Sequence, residues 1–407
     1  MATDKSKKQV SDRGKVRAIA AAMIDLPPTV DPPIVGSRTR IWKQDPSVKE
    51  LALPRDVYIH AQVKEGPSDS QIAIGGLSPV TPDLNQDFLI DPASDGKAFD
   101  AVHTYTIVRQ VLTMYQRVLD RKIQLQWNSN TDLDPISVHP QAGRTANAYY
   151  SRNEKALKFF FFKPNNQPAG SPDVFTCRSL DIVAHETGHA ILDALKPNWI
   201  LDNAPAQTGG LHESFGDITS ILTILSQLDL VEYIVAQTKS DLHRRNILAV
   251  LAEEFSNAFG MPEGLRNADN DLKLSQVSNA VHDISQVFTG AVYDILADIF
   301  TANRNPRLRD DAITLYETGR YMASLIIRAI EKAPDNNAIY ADVAKTAIEI
   351  AKADGHPDYA TFIEKHFTLR EILGTQAFAG HPNLSHLGIY PDRHGCCGTM
   401  QHPEYQT

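Results

Sequence analysis

His185-Glu186-Thr187-Gly188-His189 decides the fold of this chain, because this H-E-x-x-H stretch lies inside an apolar run from Leu180 to Leu192. Residues four apart share one face of a helix, so His185 and His189 can direct two imidazoles at one ion. Glu186 lies one position round the helix, where its carboxylate can contact a water on that ion. A helix with two exposed histidines is the alternative, but apolar flanks on both sides disfavour it. The stretch therefore predicts a buried helix with a metal site suited to hydrolysis.

A second segment, Gly209 to Ile218, supplies candidates for a third ligand, because two glycines interrupt the chain before a helical pattern begins. Catalytic zinc usually takes three protein ligands and one water, and Glu213 would complete a His-His-Glu set. Asp217, four residues later, would accept a hydrogen bond from a ligand imidazole and fix its tautomer. Two solvated carboxylates on a helix surface are the alternative. His212 points about a quarter-turn away from Glu213, so we interpret it as a bystander.

These two segments, Val183–Ala190 and Gly210–Ile218, resemble the zinc motifs of the thermolysin-type neutral metallopeptidases, which are gluzincins. The similarity extends from about Phe99 to about Phe300. It implies a Zn²⁺ site with a catalytic base and a supporting carboxylate: His185, His189 and Glu213 as ligands, Glu186 as the base and Asp217 as the support.

Another segment, Ala280-Val281-His282, resembles the one that supplies the family's transition-state histidine, so the resemblance assigns that role to His282. The family usually places an acidic residue shortly before this histidine. Residues 276–279 contain no acid, and Asp283 is the nearest substitute. The family's oxyanion tyrosine and its calcium carboxylates also lack counterparts, which leaves calcium dependence undetermined.

The resemblance also implies the residues that contact a substrate. Asn147, Ala148 and Tyr149 lie in a segment similar to the edge strand on which the family pairs its peptide. Arg266 corresponds to an arginine that reaches the substrate carbonyl. Ile182 and Leu265 would line the pocket beyond the cleaved bond, although Ile182 is equally well explained as a core residue.

Composition excludes several other classes of function. The chain has 407 residues, 42% of them hydrophobic, and a net charge of −9, which argues against a nucleic-acid partner. No apolar segment reaches the roughly 18 residues needed to span a bilayer. The N-terminus lacks the apolar core of a signal peptide, so we predict a cytoplasmic protein, with export by another route left open. Oligomeric state is not indicated by the sequence.

Four regions are predicted along the chain. Residues 1–38 form a loosely ordered extension, because Pro27-Pro28 and Pro32-Pro33 forbid regular structure. Residues 39–195 form an α/β lobe that ends in the H-E-x-x-H helix, and residues 196–375 form a helical lobe that carries the third ligand. Residues 376–407 are a loop-rich tail with Cys396 and Cys397, preferred over a second metal site because no zinc spacing is present. The predicted fold is α+β and thermolysin-like, with the metal helix at the junction of the lobes.

Periodicity predicts the individual elements. Alternation indicates a strand over 122–127 and a hairpin over 147–162. A helical stripe covers 97–121, and from Leu211 onward nearly every segment is predicted as helix, including 241–259 and 281–303.

The predicted function is zinc-dependent endopeptidase activity on peptide or protein substrates, with an apolar residue on the amine side of the cleaved bond. The alternatives are a non-peptidase zinc hydrolase, a zinc aminopeptidase, and a zinc-bound protein of peptidase fold that holds a polypeptide without cutting it. An intact Glu186 disfavours the last of these, because a binder has no need of the base.

Overall fold

The computed structural model describes residues 36–46, 51–164, 170–201, 203–251 and 266–374. Within these ranges the chain mixes helices with small sheets, which confirms the predicted α+β class at this coarse level. All of the described elements belong to the unit that begins at Ser37. Most of the predicted extension and all of the tail after residue 375 lie outside the described residues, and the lobe boundaries stay a prediction.

The described strands are short and form four small sheets. Their bounds are β1 Ser37–Trp42, β2 Pro54–Ile59, β3 Ile72–Ile74, β4 Ile136–His139, β5 Ala148–Ser151, β6 Ala156–Phe159, β7 Phe161–Phe162, β8 Val174–Phe175, β9 Val250–Leu251 and β10 Arg266–Asn267.

The four-stranded sheet has the order β3-β4-β6-β5. Strands β3, β4 and β6 are parallel, and β5 pairs antiparallel with β6 from Ala148↔Phe159 to Ser151↔Ala156. The predicted hairpin over 147–162 is therefore confirmed, and β5 lies at an edge of the sheet.

Eight α-helices are described. Their bounds are α1 Gly96–Leu119, α2 Leu180–Leu195, α3 Ala206–Leu225, α4 Leu228–Thr238, α5 Val281–Asn303, α6 Asp311–Lys332, α7 Tyr340–Ala353 and α8 Pro357–Leu369. No single described helix is long and apolar enough to cross a membrane, although α3 and α4, bent by 93°, pass that test as a pair.

Two of the predicted elements are wrong. Residues 122–127 form no strand, because side chains occupy the backbone groups of Ile123 that a strand would use for pairing. Gln116 accepts from the Ile123 amide, and Gln71 donates to the Ile123 carbonyl. Residues 241–249 form turns rather than a helix, because the side chain of Asn246 accepts from two nearby amides and donates to two nearby carbonyls. Such local bonds compete with helical ones. The rest of the predicted helix, after Leu251, lies outside the described residues.

Helices α2 and α3 lie at the centre of the protein. Every residue of α2 from Leu180 to Asp193 is buried, as is every residue of α3 from Thr208 to Leu225. Their backbones approach closely at two glycines, since a Cβ on Gly188 would lie 3.2 Å from Gly216 Cα. Glycine is needed there because the contact leaves no room for a side chain. This contact brings the H-E-x-x-H stretch against the segment that carries Glu213.

Candidate metal centre

Three side chains from α2 and α3 converge in the protein interior. His185 Nε2 lies 3.0 Å from His189 Nε2 and 3.6 Å from Glu213 Oε2, while His189 Nε2 lies 3.8 Å from Glu213 Oε1. All three residues are buried. A tetrahedral ion with bonds of about 2.0–2.1 Å separates its ligands by about 3.4 Å. The spacing and the donor set therefore fit a divalent metal ion.

The charges of the three groups differ. Burial disfavours the imidazolium of His185, but the hydrogen bonds to Asp217 and Glu213 outweigh it and raise its pKa to about 10. Burial lowers the pKa of His189 well below its usual value. Burial also opposes ionisation of Glu213, but His282 and His189 hold its pKa well below the usual range. Among the three groups, the surroundings therefore favour the carboxylate of Glu213 and the neutral ring of His189, and a metal at His185 would compete with a proton for Nε2.

A carboxylate holds the outer side of His185. Asp217 Oδ1 lies 3.0 Å from His185 Nδ1 and accepts a hydrogen bond of 2.7 Å from Arg266 Nη2. Burial raises the pKa of Asp217, but the charges of Arg266 and His185 more than reverse this effect. Gly216 makes room for the imidazole, since an added Cβ would lie 2.7 Å from two of its ring atoms. Asp217 and Gly216 together orient the His185 ring so that Nε2 faces Glu213.

A second imidazole holds the outer side of His189. Nδ1 of His212 lies 2.6 Å from Nδ1 of His189, and burial lowers the pKa of His212 to about 3, so this ring is neutral. A His189 that binds a metal through Nε2 carries its proton on Nδ1 and donates it to His212. His212 is therefore a neighbour of the centre and not a bystander. No spacing in the sequence indicates this contact, because it depends on how α2 and α3 cross.

His282, the second residue of α5, also reaches the centre, with Nε2 3.2 Å from Glu213 Oε2. The carboxylate of Asp283, the acid predicted to accompany His282, accepts a hydrogen bond from Ser278. The predicted partner of His282 is thus directed elsewhere.

A narrow pocket adjoins the centre and is lined by several of the predicted site residues. Ile182, Glu186 and Arg266 line it beside His185. Glu186 is fully buried there. Leu265 lies outside the described residues. The structure therefore brings the predicted base and two of the predicted substrate contacts to the same pocket as His185, a predicted metal ligand.

The predicted substrate strand is β5 and the residue before it. Asn147 Oδ1 accepts a hydrogen bond of 2.9 Å from the Ala148 amide, and its carbonyl accepts one of 3.3 Å from Thr176 Oγ1. The Tyr149 hydroxyl contacts Glu154 at 3.3 Å. The Ala148 amide, one of the groups predicted to bind substrate, is thus already bonded within the chain.

Strand β5 is tied to the end of α2. The Tyr150 hydroxyl donates to Asp193 Oδ2 at 2.6 Å, and Arg152 Nε donates to the same oxygen at 2.9 Å. Asp193 is fully buried, so both donors are needed to compensate its charge. This connection fixes the edge strand relative to the helix that carries the histidines.

Comparisons with known proteins give one distant structural likeness. No family model matches the chain, and no curated protein matches it. Among solved structures, the chain is similar to the precursor of protealysin, a metalloproteinase from Serratia proteamaculans, with 13% sequence identity and a TM-score of 0.46. The match covers 88% of this chain and 94% of that one. Because so distant a likeness assigns no activity, the function has to be argued from the centre itself.

Proposed function

We propose that the protein is a zinc-dependent endopeptidase of the thermolysin-like, gluzincin type. One observation carries this proposal: His185, His189 and Glu213 present three ligand atoms within 4.8 Å of one another in a buried site. Two imidazoles and one carboxylate are a ligand set of catalytic zinc, which keeps a further position for water. Zinc bound there would polarise the scissile carbonyl and lower the pKa of its water to about 7.

The chain's own residues would perform the proton transfers. Glu186 would take the proton of the attacking water and deliver it to the leaving amine. His282 would donate a hydrogen bond to the oxyanion, a contribution of about 3 kcal/mol for such a donor. The position of Glu186 in the pocket beside His185, and of His282 beside Glu213, supports these roles.

The substrate would be a peptide or protein held in extended form. Ile182 supports an apolar preference on the amine side of the cleaved bond, with Leu265 assigned to the same pocket by resemblance. Arg266 would reach the substrate carbonyl, and Asn147 with the edge strand would pair with the peptide backbone. We further propose a cytoplasmic location for the protein.

A substitution of the base tests the proposal. Glu186→Gln should keep its bound zinc and lose at least a hundredfold in cleavage of a mixed peptide library. The matched control is Glu349→Gln, which changes an exposed glutamate on α7 and should leave cleavage unchanged. A chelator should abolish cleavage by the parent protein, and added zinc should restore it. Full activity of Glu186→Gln, or of the metal-free protein, would contradict the proposal.

One alternative has an observation in its favour. A zinc-bound protein that holds a polypeptide without cutting it is supported by the Ala148 amide, which is bonded within the chain. Bound zinc with no cleavage of any library peptide would favour that function. Release of single amino-terminal residues would instead favour a zinc aminopeptidase.

A further inference from the structure

A second cavity, of about 860 Å³, lies away from the metal centre and shares none of its residues. It is a groove between α1 and α6, closed by β2 and by the end of α3. We call it the α1–α6 groove. The residues that define it are Tyr58, His60, Met114, Arg117, Tyr316 and Arg320. Its volume is in the range of sites that bind small molecules, about 300–1,000 Å³.

Two arginines give the groove an uncompensated positive charge. Arg117 and Arg320 are exposed, and neither has an ion pair among the described residues. The other two charged residues are already paired, Arg109 with Asp69 at 3.3 Å and Glu317 with Arg309. The chain as a whole has a net charge of −9, so acidic residues are in excess. Unpaired arginines on both walls of one groove therefore mark it as a place for an anion.

The remaining walls suit an apolar body. The helices that carry the two arginines also provide apolar side chains to the groove. These side chains are Met114 and Val118 on α1 and Tyr316 on α6. The ring of Tyr58 packs edge-on against His60, with centroids 4.4 Å apart. Aromatic and aliphatic walls with a few placed polar groups are typical of sites for organic ligands.

The side chains at the polar end of the groove form hydrogen bonds with one another. Gln227 is buried, and its side chain donates to Gln110 at 3.3 Å and to Ser226 Oγ at 3.0 Å, while it accepts from Arg55 at 2.6 Å. Because these groups hydrogen-bond to one another, a negatively charged ligand would form its ion pairs with the two arginines.

We propose that the α1–α6 groove binds a small organic anion, in which an apolar or aromatic body carries a carboxylate or a phosphate. The anionic group contacts Arg117 and Arg320, and the body packs against Met114, Tyr316 and Tyr58. This site is separate from the metal centre, so its occupancy does not depend on the proposed peptidase function.

The test uses the full chain and three defined probes: 8-anilinonaphthalene-1-sulfonate as a fluorescent aromatic anion, with benzoate and phenyl phosphate as competitors. Parent protein should bind the dye saturably, and the double variant Arg117→Gln/Arg320→Gln should bind it at least tenfold more weakly. The matched control is Arg307→Gln, which removes an exposed arginine outside the groove and should not change the affinity.

The competitors identify the anionic group. Displacement by phenyl phosphate at lower concentration than benzoate indicates a phosphate, and the reverse order indicates a carboxylate; either order supports the proposal. Equal dye affinity in parent and double variant, or displacement by neither competitor, would overturn it. Glu186→Gln should bind the dye as the parent does, so that loss of peptidase activity and loss of groove binding can be told apart.

Discussion

His185 and His189 lie one turn apart on the same helix, yet their outer nitrogens meet opposite kinds of neighbour. Nδ1 of His185 contacts a carboxylate, Asp217, which is itself paired with Arg266. Nδ1 of His189 contacts the neutral ring of His212. A carboxylate both orients a ligand imidazole and makes it more basic, whereas a neutral acceptor mainly orients it. We therefore expect Asp217, the neighbour of His185, to contribute more to metal affinity and to stability than His212, the neighbour of His189.

The largest effect is expected from Asp217→Asn. The substitution leaves the buried guanidinium of Arg266 without its counter-charge, which should lower the free energy of unfolding by about 3 kcal/mol. It should also weaken metal binding about 10–100-fold. Denaturant unfolding of the metal-free protein and competition with a chelator measure the two quantities.

The matched control for that variant is Asp354→Asn. Its carboxylate pairs with Arg328 at 2.8 Å, but both side chains are partly exposed, so the expected loss is below about 1 kcal/mol. Similar losses in the two variants would mean that the buried pair beside His185 has no special role.

A smaller effect, about 1–3 kcal/mol, is expected from adding one methyl group at the helix contact. Gly216→Ala places a Cβ 2.7 Å from the His185 ring, so it should lower both stability and metal affinity. Gly188→Ala places one 2.9 Å from Thr219 Oγ1, so it should lower stability with a smaller change in metal affinity. Thermal unfolding measures the loss of stability in both variants, and zinc titration measures the loss of metal affinity. Equal losses of metal affinity in the two variants would show that Gly216 has no special role in placing the His185 ring.

The smallest effect is expected at His212. His212→Leu removes the acceptor of the His189 proton and should weaken metal binding about tenfold. It should lower the stability of the metal-free protein by only about 1 kcal/mol. The lost hydrogen bond to His189 is partly offset by removal of His212 Nε2, which is buried with no hydrogen-bond partner among the described residues. His212→Asn restores an acceptor and should recover most of the affinity. A deficit in His212→Asn as large as in His212→Leu would show that the ring fills space and does not orient His189.

The pairs within each helix could be predicted from the sequence, because i and i+4 spacing places His185 with His189, and Glu213 with Asp217, on one face of a helix. The bounds of α5 are predicted without error, and those of α1 within two residues, since their apolar stripes are long and regular.

The contacts between elements could not be predicted from the sequence. The meeting of His212 with His189 depends on how α2 and α3 cross, and this crossing is set by Gly188 and Gly216. The bond between Asn147 and Ala148, the turn around Asn246 and the direction of Asp283 all depend on local side-chain hydrogen bonds. Such bonds have no periodic signature in a sequence.

The glycine contact between α2 and α3 has a consequence for how a metal enters the protein. Because the two backbones meet with no spare volume, the packing of the helices sets the spacing of the His185, His189 and Glu213 side chains. Loading therefore requires no rearrangement of the helices, and the far-ultraviolet circular dichroism of the apo and zinc-loaded forms should coincide.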